Sequence, residues 1–110
     1  MSTKKYITEL VVYKIKPETA EKYAAEIIDH FRKLVMSFDG FISYEFLQSC
    51  RDRLFFMDLV LWDTLENAEN AAKKVKEIQK EERYKDYLES FEKVKIFDHF
   101  KPISLWKKTD

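Results

Sequence analysis

From Tyr6 to Ile15 (YITELVVYKI) apolar and polar positions alternate with a period of two. Ile7, Val11, Tyr13 and Ile15 point one way, with Glu9 among them, and Leu10 and Val12 point the other. That is the pattern of a strand. Pro17 ends it and suits the start of a helix. Glu18 and Glu21 then fall in the first turn, where the helix dipole favours negative charge. Ala20, Tyr23, Ala24, Ile27, Ile28, Phe31, Leu34, Val35 and Phe38 keep a three/four spacing, which predicts an amphipathic helix. Gly40, the only glycine, falls just past the last apolar position, where a left-handed cap would need it.

Phe41 to Trp62 (FISYEFLQSCRDRLFFMDLVLW) reads as two strands joined by a tight polar turn at Cys50-Arg51-Asp52. The second arm, Leu54 to Trp62, carries one charge, Asp58, in nine positions, so it is expected to be central and covered on both faces. A three-residue turn sets Tyr44 opposite Asp58, with Phe46, Phe56 and Trp62 on the same face. Asp63-Thr64 then caps a second helix, whose apolar positions are Leu65, Ala68, Ala71, Ala72, Val75 and Ile78. Its alanines imply a close approach to the sheet. The next inward positions are Glu81, Glu82 and Lys85, whereas Tyr84, Tyr87, Leu88 and Phe91 begin a new phase. A break near Lys80 to Arg83 and a short third helix follow. Lys93 to Lys101 (KVKIFDHFK) alternates as the last strand and Pro102 ends it. In the tail ISLWKKTD, the side chains of Ile103, Leu105 and Trp106 are expected to pack on the barrel or on a partner.

The order is β-α-β-β-α-β, an α+β ferredoxin-like arrangement: an antiparallel sheet with both helices on one face, since both crossovers are right-handed. It is expected as one domain over 1–110, with its core at about 6–101 and the tail at 102–110. The opposite face would be rich in aromatic and aliphatic side chains, beyond the roughly few hundred Å² a monomer usually exposes. A second copy is the expected cover, which makes the protein a homodimer. The 110 residues are 45% hydrophobic, enough for one core. Twenty basic and twenty acidic residues cancel, removing the footprint of a general nucleic-acid binder. One cysteine, Cys50, makes no internal disulfide and reads as a surface thiol in a reducing compartment. The opening MSTKKYITEL lacks the apolar stretch of a secretion signal, and no apolar run reaches membrane-spanning length. A soluble cytoplasmic protein without a membrane partner is expected.

At the hairpin and its flanks the chain resembles the antibiotic-biosynthesis monooxygenase (ABM) family of dimeric α/β barrels. The matching pieces are Lys16-Pro17-Glu18, Asp39-Gly40-Phe41-Ile42-Ser43-Tyr44-Glu45, and Leu59-Val60-Leu61-Trp62-Asp63 running into an alanine-rich helix. The resemblance spans about residues 6–100. It implies a cofactor-independent monooxygenase acting on a small phenolic or quinol-like compound, and Trp62 matches a family tryptophan that closes the core. The related stress-responsive barrels look similar, so a non-enzymatic dimer that binds a small ligand is the alternative. Haem-degrading members use an Asn on strand one and a Trp and a His on the second helix. Here Leu10 and Ala71 stand near the Asn and Trp positions, and no histidine lies between His30 and His99. Haem degradation of that type is not expected, and no cofactor is.

The residues themselves offer few candidates. His30 lies at the edge of the first helix's apolar face and reads as a surface histidine. His99 shares its strand face with Phe97 and could act as a general base near neutral pH, or be held structurally by a hydrogen bond. Asp58 is the sharper anomaly, because burying a carboxylate is costly unless it is paired or its pKa rises. Its partner would be Arg53, a lysine or a tyrosine hydroxyl across the dimer. The functional reading makes His99 or Asp58 the base of a pocket lined by Tyr13, Tyr44 and Trp62, the aromatics stacking on a planar ligand. Two separated histidines and one turn cysteine give no metal-ligand spacing, and one glycine cannot cradle phosphate. The RNA-recognition fold shares the element order, but Leu54 and Phe56 occupy the small positions of its signature and Asp58 sits mid-strand.

Overall fold

A computed structural model of the chain describes residues 6–109; residues 1–5, which carry part of the reading that no secretion signal is present, and residue 110 lie outside the described residues. Four strands form one antiparallel sheet: β1 (Ile7–Ile15), β2 (Phe41–Gln48), β3 (Phe55–Trp62) and β4 (Phe91–Phe100), in the order β2-β3-β1-β4. Helices α1 (Ala20–Lys22), α2 (Ile28–Met36), α3 (Leu65–Ile78) and α4 (Lys85–Ser90) cross between them. This is the expected ferredoxin-like α+β arrangement. Tyr13, Ile15, Phe56, Val60 and Trp62 turn to the helices and are buried against Tyr23, Ile27, Phe31, Ala68 and Ala71. On the other face the sheet shows Ile42, Leu47, Ile96 and Phe100 to solvent. No described helix is long and apolar enough to cross a membrane.

Local differences from the sequence reading have physical causes. Pro17 and Glu18 fall in a turn closed by the Thr19 N–H on the Lys16 carbonyl, so the first helix starts at Ala20 and only Glu21 lies in its first turn. Between α1 and α2 the helix takes a π-turn at Tyr23–Ile27, closed by the Ile28 N–H on the Tyr23 carbonyl. The wider turn rotates the face: Tyr23, Ile27 and Ile28 are buried while Ala24 is exposed. Gly40 has φ +86°, and a Cβ there would come within 2.3 Å of Asp63 Oδ1 and 2.7 Å of Asn67. Thr64 caps α3 through its side chain, which accepts the Asn67 N–H at 3.1 Å. The second helix ends at Ile78, and a 3₁₀ turn at Glu82–Tyr84 precedes α4, as the change of phase predicts.

The hairpin register moves by one step on each arm. Tyr44 pairs with Val60, and Phe46 with Asp58, rather than Tyr44 with Asp58. The connection is longer than three residues because Ser49 and Asp52 side chains build it: Ser49 Oγ accepts the Arg51 and Asp52 N–H groups, and Asp52 Oδ1 accepts the Leu54 N–H. Strand β4 begins at Phe91, before the expected Lys93, and its alternation breaks between Ile96 and Val94, where the pairing with β1 shifts. The tail does not pack on the body of its own chain. Ile103, Leu105 and Trp106 are 90%, 77% and 86% exposed.

Candidate functional site

Antiparallel pairing decides which polar side chains meet on the helix-covered face. Glu9 on β1 lies between Val60 on β3 and His99 on β4, and Val11 lies between Asp58 and Phe97. Period-two alternation then turns Glu9, Asp58, Phe97 and His99 to the same side. The helices do not cover that side fully. An open cleft of about 1240 Å³ runs between the sheet and α3, floored by Glu9, Val11, Val60, Trp62, Phe97 and His99 and walled by Leu65, Glu69, Ala72, Lys73 and Lys76. Tyr44 and Asp58 reach its inner part, and Phe31, Tyr87 and Leu88 line it from the other helices.

Asp58 is sealed by hydroxyls. Its Oδ1 accepts from the Tyr13 hydroxyl at 2.7 Å and its Oδ2 from the Tyr44 hydroxyl at 2.6 Å, while Tyr23 donates to the Tyr13 oxygen at 2.8 Å. The carboxyl is 3% exposed. Burial pushes it up to about 6, against the pull of the two tyrosine hydrogen bonds, with Glu9 adding to the rise. Burial also holds Tyr13, Tyr23 and Tyr44 far above the usual phenol range, so all three remain donors. The partner expected across a dimer is therefore found within the chain, as tyrosine. Arg53 is not that partner; its backbone carbonyl accepts from Gln48 Nε2 at the hairpin turn.

Glu9 and His99 form a second centre. His99 Nε2 lies 2.9 Å from Glu9 Oε1, and Glu9 is 9% exposed. Burial raises the Glu9 carboxyl above its ordinary value, and the His99 hydrogen bond and charge oppose the rise. The His99 backbone N–H donates to Asp98 Oδ1 at 2.7 Å, and Phe97 sets its ring edge-on to the imidazole at 5.6 Å.

Of the expected site residues, Tyr44, Asp58, Trp62 and His99 line this cleft together. Tyr13 does not; it is fully buried beneath, and only its hydroxyl reaches the site, through Asp58. Trp62 is 1% exposed, edge-on to Phe41 at 5.9 Å, and its Nε1 is buried without a hydrogen-bond partner among the described residues. His30 is exposed against the Tyr84 ring, and Cys50 is exposed in the hairpin turn. Among the described residues no group of three or more His, Cys, Asp or Glu is placed to hold a metal ion. Leu10, near the haem-degraders' Asn position, pairs with Leu59 on the open face. Sequence reasoning passed over Glu9 and Tyr23. Glu9 carried a signal, a charge on the inward face of β1 like Asp58 on β3; its pairing with His99, 90 residues away, did not.

Solved structures share this architecture. A Bordetella bronchiseptica protein named "Putative antibiotic biosynthesis monooxygenase" superposes with a TM-score of 0.74 at 18% identity, covering 90% of this chain and 98% of that one. The fold is that of the ABM proteins. A Nitrosomonas europaea protein of the same name covers 99% of this chain and 98% of its own at a TM-score of 0.62 and 14% identity. A Bacteroides thetaiotaomicron protein described as of unknown function, "Possible Oxidoreductase", covers 90% and 99% at 0.62 and 19%. No family model and no curated protein matches the sequence. The expected ABM-type fold is therefore present, and the cleft lies between its sheet and its helices.

Proposed function

We propose that this protein is a cofactor-independent monooxygenase of a small phenolic or quinol-like molecule, working as a cytoplasmic homodimer, with the cleft as its active site. The observation that supports this most is a roomy, largely apolar cleft whose floor carries an imidazole paired with a carboxylate. Oxygenation without flavin or metal needs a substrate that, once deprotonated, passes an electron to oxygen itself. The protein then supplies an aromatic-lined cavity, a base and fixed hydrogen-bonding groups. For an anthrone the balance closes without another reactant: the ring methylene loses two hydrogens and gains one oxygen atom, and the second oxygen leaves as water. His99 is the base. Trp62 and Tyr44 bound the ring-binding space. Asp58, with both oxygens taken by tyrosines, holds Tyr44 and Tyr13 in place rather than removing the proton.

The second copy would cover the open sheet face, where Leu10, Val12, Met57, Leu59, Ile96 and Phe100 lie, and the tail around Leu105 and Trp106 would pack on that partner. Sedimentation at micromolar concentration should give a dimer, and a stable folded monomer of 13.3 kDa would overturn this part. A dimeric barrel that binds a ligand without turnover is the second reading, favoured by the sealed state of Asp58. Oxygen uptake with a panel of hydroquinones and anthrones separates the two. Uptake above the buffer rate is expected; tight binding with no uptake would favour the second.

A further inference from the structure

Resting on the reading of the cleft as a site of phenol deprotonation, we infer that Glu9 is a positioning residue: it holds His99 through Nε2 and so leaves Nδ1 as the nitrogen that takes the substrate's proton. In a neutral imidazole one nitrogen donates and the other accepts, and the hydrogen bond made by one decides the role of the other. Here the 2.9 Å contact is made by Nε2. The Glu9 carboxylate is an acceptor, so Nε2 keeps its hydrogen and Nδ1 keeps its lone pair. Neighbouring strands hold the two partners: Glu9 and His99 are directly paired residues of β1 and β4. The Asp98 carboxylate fixes the backbone at the same place, accepting the His99 N–H at 2.7 Å.

Asp58 lines the same cleft as Glu9 and His99, but tyrosine hydroxyls hold both of its oxygens. The other titratable groups on that cleft are Tyr44 on β2, Asp58 on β3, Glu66, Glu69, Lys73 and Lys76 on α3, Tyr87 on α4 and Lys93 on β4. None of them hydrogen-bonds to the imidazole. When a phenol enters, its O–H bond breaks, the electron pair stays on the oxygen, and the proton forms a bond to Nδ1. The imidazolium that results lies against the Glu9 carboxylate, a charge-assisted hydrogen bond stronger than the neutral one before it. Glu9 therefore acts twice, first on the tautomer and then on the charge.

The reverse arrangement has a protonated Glu9 donating to Nε2, with the imidazole hydrogen on Nδ1, where it could not accept a proton. Long-range ¹H–¹⁵N correlation on the full chain with ¹⁵N-labelled histidine distinguishes the two directly, at a pH where the imidazole is neutral. The chain has two histidines, so His99→Gln assigns the resonances. The expected result is a hydrogen on Nε2 of His99 in the native protein. In Glu9→Ala the Nδ1-protonated share should rise several-fold. If Glu9→Ala does not fold, Glu9→Gln carries the comparison with a smaller rise in the same direction, because a neutral amide holds an N–H less strongly than a carboxylate. A native hydrogen on Nδ1, or a tautomer ratio that neither variant changes, would overturn the inference. The measurement needs no turnover, so failure of this arrangement is distinguishable from failure of the oxygenase reading.

Discussion

The sheet carries two inward carboxylates one strand apart, and the protein treats them differently. Asp58 sits among aromatic rings: Phe46 and Phe56 stack at 5.2 Å beside it, and tyrosine hydroxyls occupy both its oxygens. Glu9 sits where the helices leave a gap, and its recorded side-chain partner is an imidazole that lines the cleft. Both pay for burial with a raised pKa. The first arrangement satisfies the charge with groups that cannot ionise near neutral pH, so it stabilises a shape. The second satisfies it with a group able to gain and lose a proton, so it can do chemistry. Burial alone did not tell the two apart; the chemistry of the partner did.

The largest effects are expected at the packed residues around the two carboxylates. Trp62 closes the sheet beside both centres, and Trp62→Ala should lower unfolding free energy in urea by about 3 to 5 kcal/mol if the indole is core. A loss under about 1 kcal/mol would leave Trp62 as a cleft-lining residue without a packing role. Asp58 gives a pH-dependent test. Its folded value of about 6 exceeds the ordinary 3.8, so the native state binds this proton more tightly than the unfolded chain. Its contribution is fully present below about pH 4 and is lost as pH rises through about 6. Glu9, raised from 4.5, acts in the same direction. From pH 4 to pH 7 the stability of Asp58→Asn should therefore improve relative to native by about 2 kcal/mol. Parallel pH profiles for the two chains would contradict the sealed carboxyl.

Smaller effects sharpen the same contrast. Gly40→Ala forces a strained left-handed backbone and a clash with Asp63 and Asn67 at the start of α3, and should cost about 1 to 3 kcal/mol by thermal or urea unfolding. No change there would mean that this end of the cleft wall is loosely held. His99→Gln should cost about 1 to 2 kcal/mol, because it replaces the hydrogen-bond partner of the buried Glu9 carboxylate with a neutral amide. A loss as large as that of Trp62→Ala would make His99 a structural residue.

The architecture was legible because it rests on local patterns. The alternation of Tyr6 to Ile15, the spacing from Ala20 to Phe38, Gly40, the Thr64 cap and the charged interruption at Glu81 and Glu82 each report on neighbours in sequence. The π-turn at Tyr23–Ile27 was not legible, since one extra residue in a turn leaves an apolar spacing that still reads as helix. The hairpin register slipped because Ser49 and Asp52 lengthen the turn through side-chain hydrogen bonds. The site was half legible. Asp58 stood out as one charge in an apolar strand, and His99 by its place beside Phe97. A tyrosine hydroxyl was among the partners expected for Asp58, but the particular pairings could not be read, because Tyr13 to Asp58 and Glu9 to His99 span 45 and 90 residues and depend on register. Of the two places expected for the tail, its own barrel is not the one taken: Ile103, Leu105 and Trp106 lie free of the chain's own body, which leaves a second copy as their proposed cover.

In the proposed mechanism the substrate's proton leaves through His99 and not through Asp58. Oxygen uptake with 1,8-dihydroxyanthrone, followed for native protein, His99→Gln and Asp58→Asn in buffer containing a metal chelator, tests it most directly. Loss of a general base costs roughly 10² to 10⁴ in rate. The prediction is a loss of that size for His99→Gln, with Asp58→Asn within a few-fold of native. The opposite order, with Asp58→Asn inactive and His99→Gln near native, would contradict it.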